Sequence, residues 1–277
     1  VAENNVAQAD AGPQTNWVEV LAEKLVFLVL IGDYVRQIMR VFAATVKKPP
    51  HWSLIREQMY HIGVLSLPVV AMTGLSTGLV LATQAFFQLG DKGLTGTTGL
   101  MVAKAMITEL GPVLTAFMIT GRIGAAMCAE LGSMRVTEQI DALETMAVDP
   151  HQYLLSPRYI AGLAMTPMLT VFSAVMGIFG GYLISVFYFK MPPTQYFDPM
   201  PVYIDYFDLF IGVTKSLIFG LSIITISCYK GMTTHGGAEG VGRSTTNSVV
   251  ICYTCILFFN FFVTLGLNQL NHQMYGQ

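Results

Sequence analysis

Three ionisable residues, Lys104, Glu109 and Arg122, stand inside one predominantly apolar run of the sequence. Placing a charge at bilayer depth is costly, so such residues face a cavity, a partner helix or the headgroups. Glu109 has the most chemistry to explain. It precedes Leu110-Gly111-Pro112, and proline removes a helical hydrogen bond, so the spacing predicts a kink that opens backbone beside a carboxylate. Two readings stand: Glu109 lines a cavity or touches lipid headgroups, or it makes a structural hydrogen bond to a neighbouring helix. Lys104 is near one end of the run and can snorkel to the surface. Arg122 is near the other end and is expected to reach headgroups. Glu109 and Arg122 lie about 20 Å apart along a helix, too far to work as an acid–base pair. With no Ser/His pair or metal cluster beside them, an intramembrane enzyme is disfavoured.

A second constellation is "AELGSMRVTEQIDALETMAVDP", 129–150, which holds one arginine and five acids. Val136, Ile140, Leu143 and Ala147 share one helical face by their spacing. Arg135, Glu138, Asp141 and Glu144 recur every three residues as a charged stripe, and Arg135 and Glu138 are spaced to pair. A helix over 130–149 thus has an apolar face to dock and an acidic face to display. It reads either as a solvated helix packed on the bundle or as a docking helix for a partner with a basic groove.

Two further motifs lead nowhere. Cys252-x-x-Cys255 has redox or metal spacing, but no second pair or histidine cluster accompanies it, and both residues read as helix packing. "THGGAEGVGRSTTNS", 234–248, has the glycine content of a phosphate loop without Gly-Lys-Ser/Thr or a preceding strand. It reads as a flexible turn.

The elements that must position these residues follow from hydropathy. The chain has 277 residues, 53% hydrophobic and 12% charged, with a net charge of −2. Soluble domains carry about 25% charged residues, so the composition indicates an integral membrane protein and offers no basis for nucleic-acid binding. About 20 apolar residues cross a bilayer as a helix. Five spans are expected, at about 62–89, 101–128, 159–189, 209–229 (interrupted by Lys215) and 248–268. The segment 17–46 is too charged to span. Its apolar residues Leu21, Leu25, Leu28 and Val29 suit an amphipathic helix in the interface, the other reading being a sixth span broken by charge. Pro49-Pro50 ends it. Residues 1–16 are polar, lack the pattern of a signal peptide and are expected to be a disordered tail. Of the lysines and arginines, eleven fall on the side of the N-terminus and four (Lys92, Lys104, Lys190 and Lys215) on the other. By the positive-inside rule the N-terminus is cytoplasmic and the C-terminus external. Gly74-x-x-x-Gly78 and Gly177-x-x-x-Gly181 read as close helix contacts. The external loop 190–208, rich in proline and aromatics, is expected to form short interfacial structure.

The stretch "ELGPVLTAFMITGRIGAAMCAELGSMRVTEQIDALETMAVDP", 109–150, resembles the signature of the MlaE (YrbE) permeases. "REQMYHIGVLSLPVV" at 56–70, "SPRYIAGLAMTPMLTV" at 156–171 and "GVGRSTTNSVV" at 240–250 extend the resemblance to nearly everything from residue 17 onward. The resemblance implies an all-α integral membrane fold of one interfacial helix, five spans and a cytoplasmic coupling helix, in a single permease domain over 17–277. It implies a non-catalytic subunit of an MCE-type ABC transporter in a bacterial inner membrane, moving phospholipids between that membrane and the periplasm or outer envelope. The implied partners are a second copy of the chain, an MlaF-type ATPase, a periplasmic MlaD-type MCE hexamer and an MlaB-type STAS protein. ATP and Mg would be bound by the ATPase, with no cofactor in this chain. Within the coupling helix Glu138, Asp141 and Glu144 would face the ATPase, while Ile140 and Leu143 anchor. The lipid cavity would be lined by the first, second and fifth spans, placing Glu109 and Leu110 near it and Arg56 and Arg243 at the phosphate side. Thr108 departs from the basic residue expected in some relatives and leaves the headgroup preference open. The rival class is a self-contained secondary transporter. That class normally shows inverted repeats and two broken helices; here no repeat and one broken span are visible.

Overall fold

The computed structural model describes residues 17–47, 49–91 and 93–275. The tail expected over 1–16 lies outside the described residues, as do the side chains of Leu21, Leu25, Leu28 and Val29. The described residues are helical almost throughout and contain no strand. In chain order the helices are α1 (Trp17–Lys47), α2 (Trp52–Ile62), α3 (Leu67–Gly90), α4 (Thr98–Ala105), α5 (Gly111–Ile119), α6 (Ala125–Val136), α7 (Gln139–Thr145), α8 (Ser156–Leu183), α9 (Pro193–Phe197), α10 (Met200–Tyr203), α11 (Tyr206–Met232) and α12 (Gly237–Tyr275). Several join end to end, so that five helical stretches are long and apolar enough to cross a membrane: Trp52–Gly90, Thr95–Val136, His151–Tyr188, Tyr206–Met232 and Gly237–Leu270. Each is longer than the apolar segment read from the sequence, because helical hydrogen bonding continues past the end of an apolar run.

The second stretch is the least regular. π-helical turns at Met106–Leu110 and Thr120–Gly124 flank α5. They hold Glu109 and Arg122, the charges in the middle of that stretch, and such turns recur at functional sites. The first stretch is broken between α2 and α3 by a 3-10 turn, Val64–Ser66, before Pro68 restarts the helix. Arg122 spans the break: its Nη1 donates to Ser66 Oγ at 2.6 Å and to the His61 carbonyl at 3.4 Å. One side-chain hydroxyl and one backbone carbonyl at the break thus serve as acceptors for this guanidinium.

α3 packs along α8 through Gly74 and Gly78, and through Gly180 of α8, while the open sides of Gly177 and Gly181 face mainly Met106 and Tyr196. A methyl on Gly78 would collide with the Gly177 carbonyl, and one on Gly74 with that of Ser173. Helices in lipid approach closely only where side chains are that small. The loop between α8 and α11 folds into α9 and α10 and is pinned by Tyr196, which is fully buried and donates to the Ile178 carbonyl at 3.0 Å. At the opposite end, α1 docks its C-terminal half on the bundle. Val41 is buried, and Tyr34 meets Tyr229 edge-on with ring centroids 4.7 Å apart. Burial, and secondarily the Tyr229 hydroxyl, push the Tyr34 phenol up to about 12, so it stays protonated at neutral pH. The outward face of α1 carries Val35, Met39, Phe42 and Val46, all exposed. This stripe recurs every three to four residues, as a helix lying in acyl chains requires.

Candidate functional site

Pro112 organises the chemistry around Glu109. Without an N–H it cannot bond the Thr108 carbonyl four residues back, nor the Ile107 carbonyl in the π register. α11 packs against both carbonyls and supplies a donor to the first. Lys215 Nζ donates to the Thr108 carbonyl at 3.0 Å and pairs with Glu109 Oε1 at 2.6 Å. Gly212 lays its bare Cα against the Ile107 carbonyl, where a side chain would collide. Lys215 is fully buried, whereas the Glu109 side chain is 38% exposed. From α12, the Thr264 hydroxyl lies 3.3 and 3.4 Å from the two Glu109 oxygens. The carboxylate is thus held from two elements, α11 and α12.

A second pair of reversed polarity lies towards the start of both helices. Lys104 Nζ is 3.4 Å from Asp208 Oδ2. Asp208 is also part of a reciprocal capping box with Asp205 that satisfies the free N–H groups opening α11. Lys104 therefore has a specific partner rather than only a route to the surface. Lys104, Glu109, Asp208 and Thr264 line a cavity of about 270 Å³, with Thr108, Ile211 and Asn268 completing its wall. The second, fourth and fifth stretches enclose it. The fourth contributes through α11, which Lys215 ties to the π turn. Leu110 points elsewhere, packing with Ala82, Met106 and Ala174.

Arg56 and Arg243 do not reach this pocket. Both are exposed, on α2 and in the early turns of α12. Arg243 precedes Thr264 by 21 residues on one helix, about 31 Å of axial rise. Glu109 and Leu110 thus lie towards one end of the bundle and the two arginines towards the other.

The polar stretch 129–150 occupies the arginines' end. The single helix expected over 130–149 is two helices. α6 stops at Val136; Glu138 takes a left-handed conformation, φ 58°, and opens the seven-residue α7. The break rotates Glu138 out of the expected stripe, and Arg135 pairs with Asp141 instead. Ala147, also left-handed at φ 57°, lies beyond the end of α7 and leaves the apolar face. Ile140 is 1% exposed, seated among Val41, Leu131, Leu155 and Tyr159, and Leu143 packs partly buried on the same cluster. Glu138, Asp141 and Glu144 are exposed. Beneath them, buried Arg158 of α8 pairs with Glu130 of α6 at 2.9 Å and donates to the Leu154 carbonyl at 2.7 Å. The corner is thus fixed to the bundle by Ile140 and the Arg158–Glu130 pair, with its acids outward.

Lys215, Asp208, Thr264 and Arg158 are absent from the sequence-derived site. Lys215 had a signal, the lone charge in the fourth apolar run, and Asp205-x-x-Asp208 has capping-box spacing. Thr264 and Arg158 had none. The described cysteines are all free, and among the described residues no cluster of His, Cys, Asp and Glu could hold a metal ion.

With the geometry in place, the model of the family described as "Permease MlaE" matches residues 55–265. The chain belongs to the MlaE permease family. An intermembrane phospholipid transport system permease protein MlaE from Haemophilus influenzae is 32% identical over 257 residues, 90% of this chain and 96% of that protein. A "Probable ABC transporter permease protein" from Rickettsia typhi is 39% identical over 222 residues, 80% of this chain and 86% of its own length. One of the same description from Synechocystis is 41% identical over 208 residues, covering 75% and 79%. The matched region of this MlaE permease includes Glu109, Lys215, Thr264 and the whole of α7.

Proposed function

We propose that this permease is the membrane subunit of an ATP-driven transporter that moves phospholipid between the inner membrane and the periplasm or outer envelope. The α7 corner carries the reading. A seven-residue helix is anchored by Ile140, and its remaining acids Glu138 and Glu144 are exposed with no ion-pair partner among the described residues. Such a helix transmits force from a partner rather than folding for its own sake. The partner would be an MlaF-type ATPase that binds ATP and Mg, accompanied by an MlaB-type STAS protein. An MlaD-type MCE hexamer would stand on the α9 side, and two copies of the chain would form the permease. The lysine and arginine bias supports a cytoplasmic α7 and N-terminus and a periplasmic C-terminus. The phospholipid substrate is supported by the description of the Haemophilus relative.

The test is purification from native membranes in mild detergent, with mass spectrometry of proteins and lipids. Co-recovery of an ATPase, an MCE protein and phospholipid is expected. A stable chain recovered alone, with neither partner nor lipid, would overturn the assignment.

A further inference from the structure

We propose that the pocket around Glu109 is a headgroup site selective for a zwitterionic phospholipid bearing a primary ammonium, of the phosphatidylethanolamine class. This rests on the phospholipid reading above and deepens it. The argument is one of charge and exposure. Lys104 and Lys215 are balanced by Glu109 and Asp208, and Thr108 adds no charge.

The four charges are not equally available. Lys215 is fully buried and committed to Glu109 and the Thr108 carbonyl. Lys104 is half exposed at 52%, and its contact with Asp208 is long at 3.4 Å, so its ammonium keeps donors to spare. Glu109 is 38% exposed and has acceptor capacity beyond Lys215 and Thr264. A ligand therefore meets a cation and a carboxylate in one pocket, on residues whose backbone positions are about 7.5 Å apart along the helix axis. A phosphate accepting from Lys104 and an ammonium donating to Glu109, each through a charge-assisted bond of about 2.8 Å, bridge that interval. The 270 Å³ cavity suits a headgroup rather than a whole lipid. An apolar groove of about 400 Å³, walled by Leu89, Leu100 and Met101, shares Lys104 and Thr108 with it and offers a place for an acyl chain.

Other headgroups fit less well. A purely anionic one satisfies Lys104 but confronts Glu109 and Asp208. A trimethylammonium has no N–H to donate to Glu109 and is recognised by aromatic faces, yet among the described residues lining this pocket none is aromatic.

The experiment offers the purified full chain, with its co-purifying partners, nanodiscs of equal phosphatidylethanolamine, phosphatidylglycerol and phosphatidylcholine with matched acyl chains. Native mass spectrometry then reads the retained lipid. Phosphatidylethanolamine should be enriched roughly tenfold over both others, the effect of one charge-assisted hydrogen bond. Thr108→Arg should turn the preference towards phosphatidylglycerol, and Lys104→Gln, at a half-exposed position, should reduce retention of every phospholipid. Equal retention of all three lipids by the unmodified chain, or preference for either competitor, overturns the selectivity and leaves the phospholipid reading intact. No retained phospholipid of any kind sinks both.

Discussion

At the scale of single residues, the Glu109–Lys215 pair is the most consequential interaction in the bundle. A buried ion pair adds little net stability relative to apolar residues, but removing one partner strands the other and costs about 3–5 kcal/mol. Glu109→Leu leaves an ammonium at 0% exposure with only the Thr108 carbonyl to accept from it. We expect that variant to lose a large part of its thermal stability in detergent, and Glu109→Leu with Lys215→Leu to be more stable than Glu109→Leu alone. Additive losses would show that the two groups do not interact. Pro112 gives a second test. Pro112→Ala restores a backbone N–H that one of the orphaned carbonyls can use, so Lys215→Met should cost less in that background, by about 1 kcal/mol for one hydrogen bond. An identical cost in both backgrounds would remove proline from the argument.

At the scale of elements, two contacts depend on different physics. α7 separates anchor from display. Reversing its free acids, Glu138→Lys with Glu144→Lys, alters exposed side chains and should change stability by no more than about 0.5 kcal/mol each. The same double variant should abolish co-purification of the ATPase and ATP-dependent lipid transfer in proteoliposomes; transfer at the unmodified rate would refute the coupling role. Ile140→Ala empties a buried site, with an expected cost of about 2–5 kcal/mol. The contact of α3 with α8 is steric. Gly78→Leu places a side chain where the Gly177 carbonyl lies and should prevent accumulation of folded protein, read as loss of the monodisperse peak in size-exclusion chromatography.

At the scale of the whole molecule, the five stretches alternate direction, so α7, Arg56 and Arg243 share one end while α9, α10 and the Glu109 pocket lie towards the other. Cysteines placed at exposed Glu239 and Asp91 report which end faces which compartment. With the native cysteines replaced, Glu239→Cys should react with an impermeant maleimide only after membranes are opened, and Asp91→Cys in intact spheroplasts. The reverse pattern would invert the orientation and place the acids of α7 outside the reach of an ATPase.

The sequence by itself determined what composition and local pattern can determine. Uncharged runs of bilayer length identify the spans, because apolar length is the physical requirement for crossing. Glu109 beside Pro112 marks the site, because a carboxylate and an interrupted helix are each costly in lipid. The 109–150 stretch identifies the family. Only the tertiary structure decided the partners. Lys215 lies 106 residues from Glu109 in sequence and Thr264 a further 49 beyond it, and no local periodicity encodes which spans become neighbours. The same limit separated Arg56 and Arg243 from Glu109. It also hid the break at Glu138, since residue spacing assumes a continuous helix and a single left-handed residue resets the phase of everything that follows.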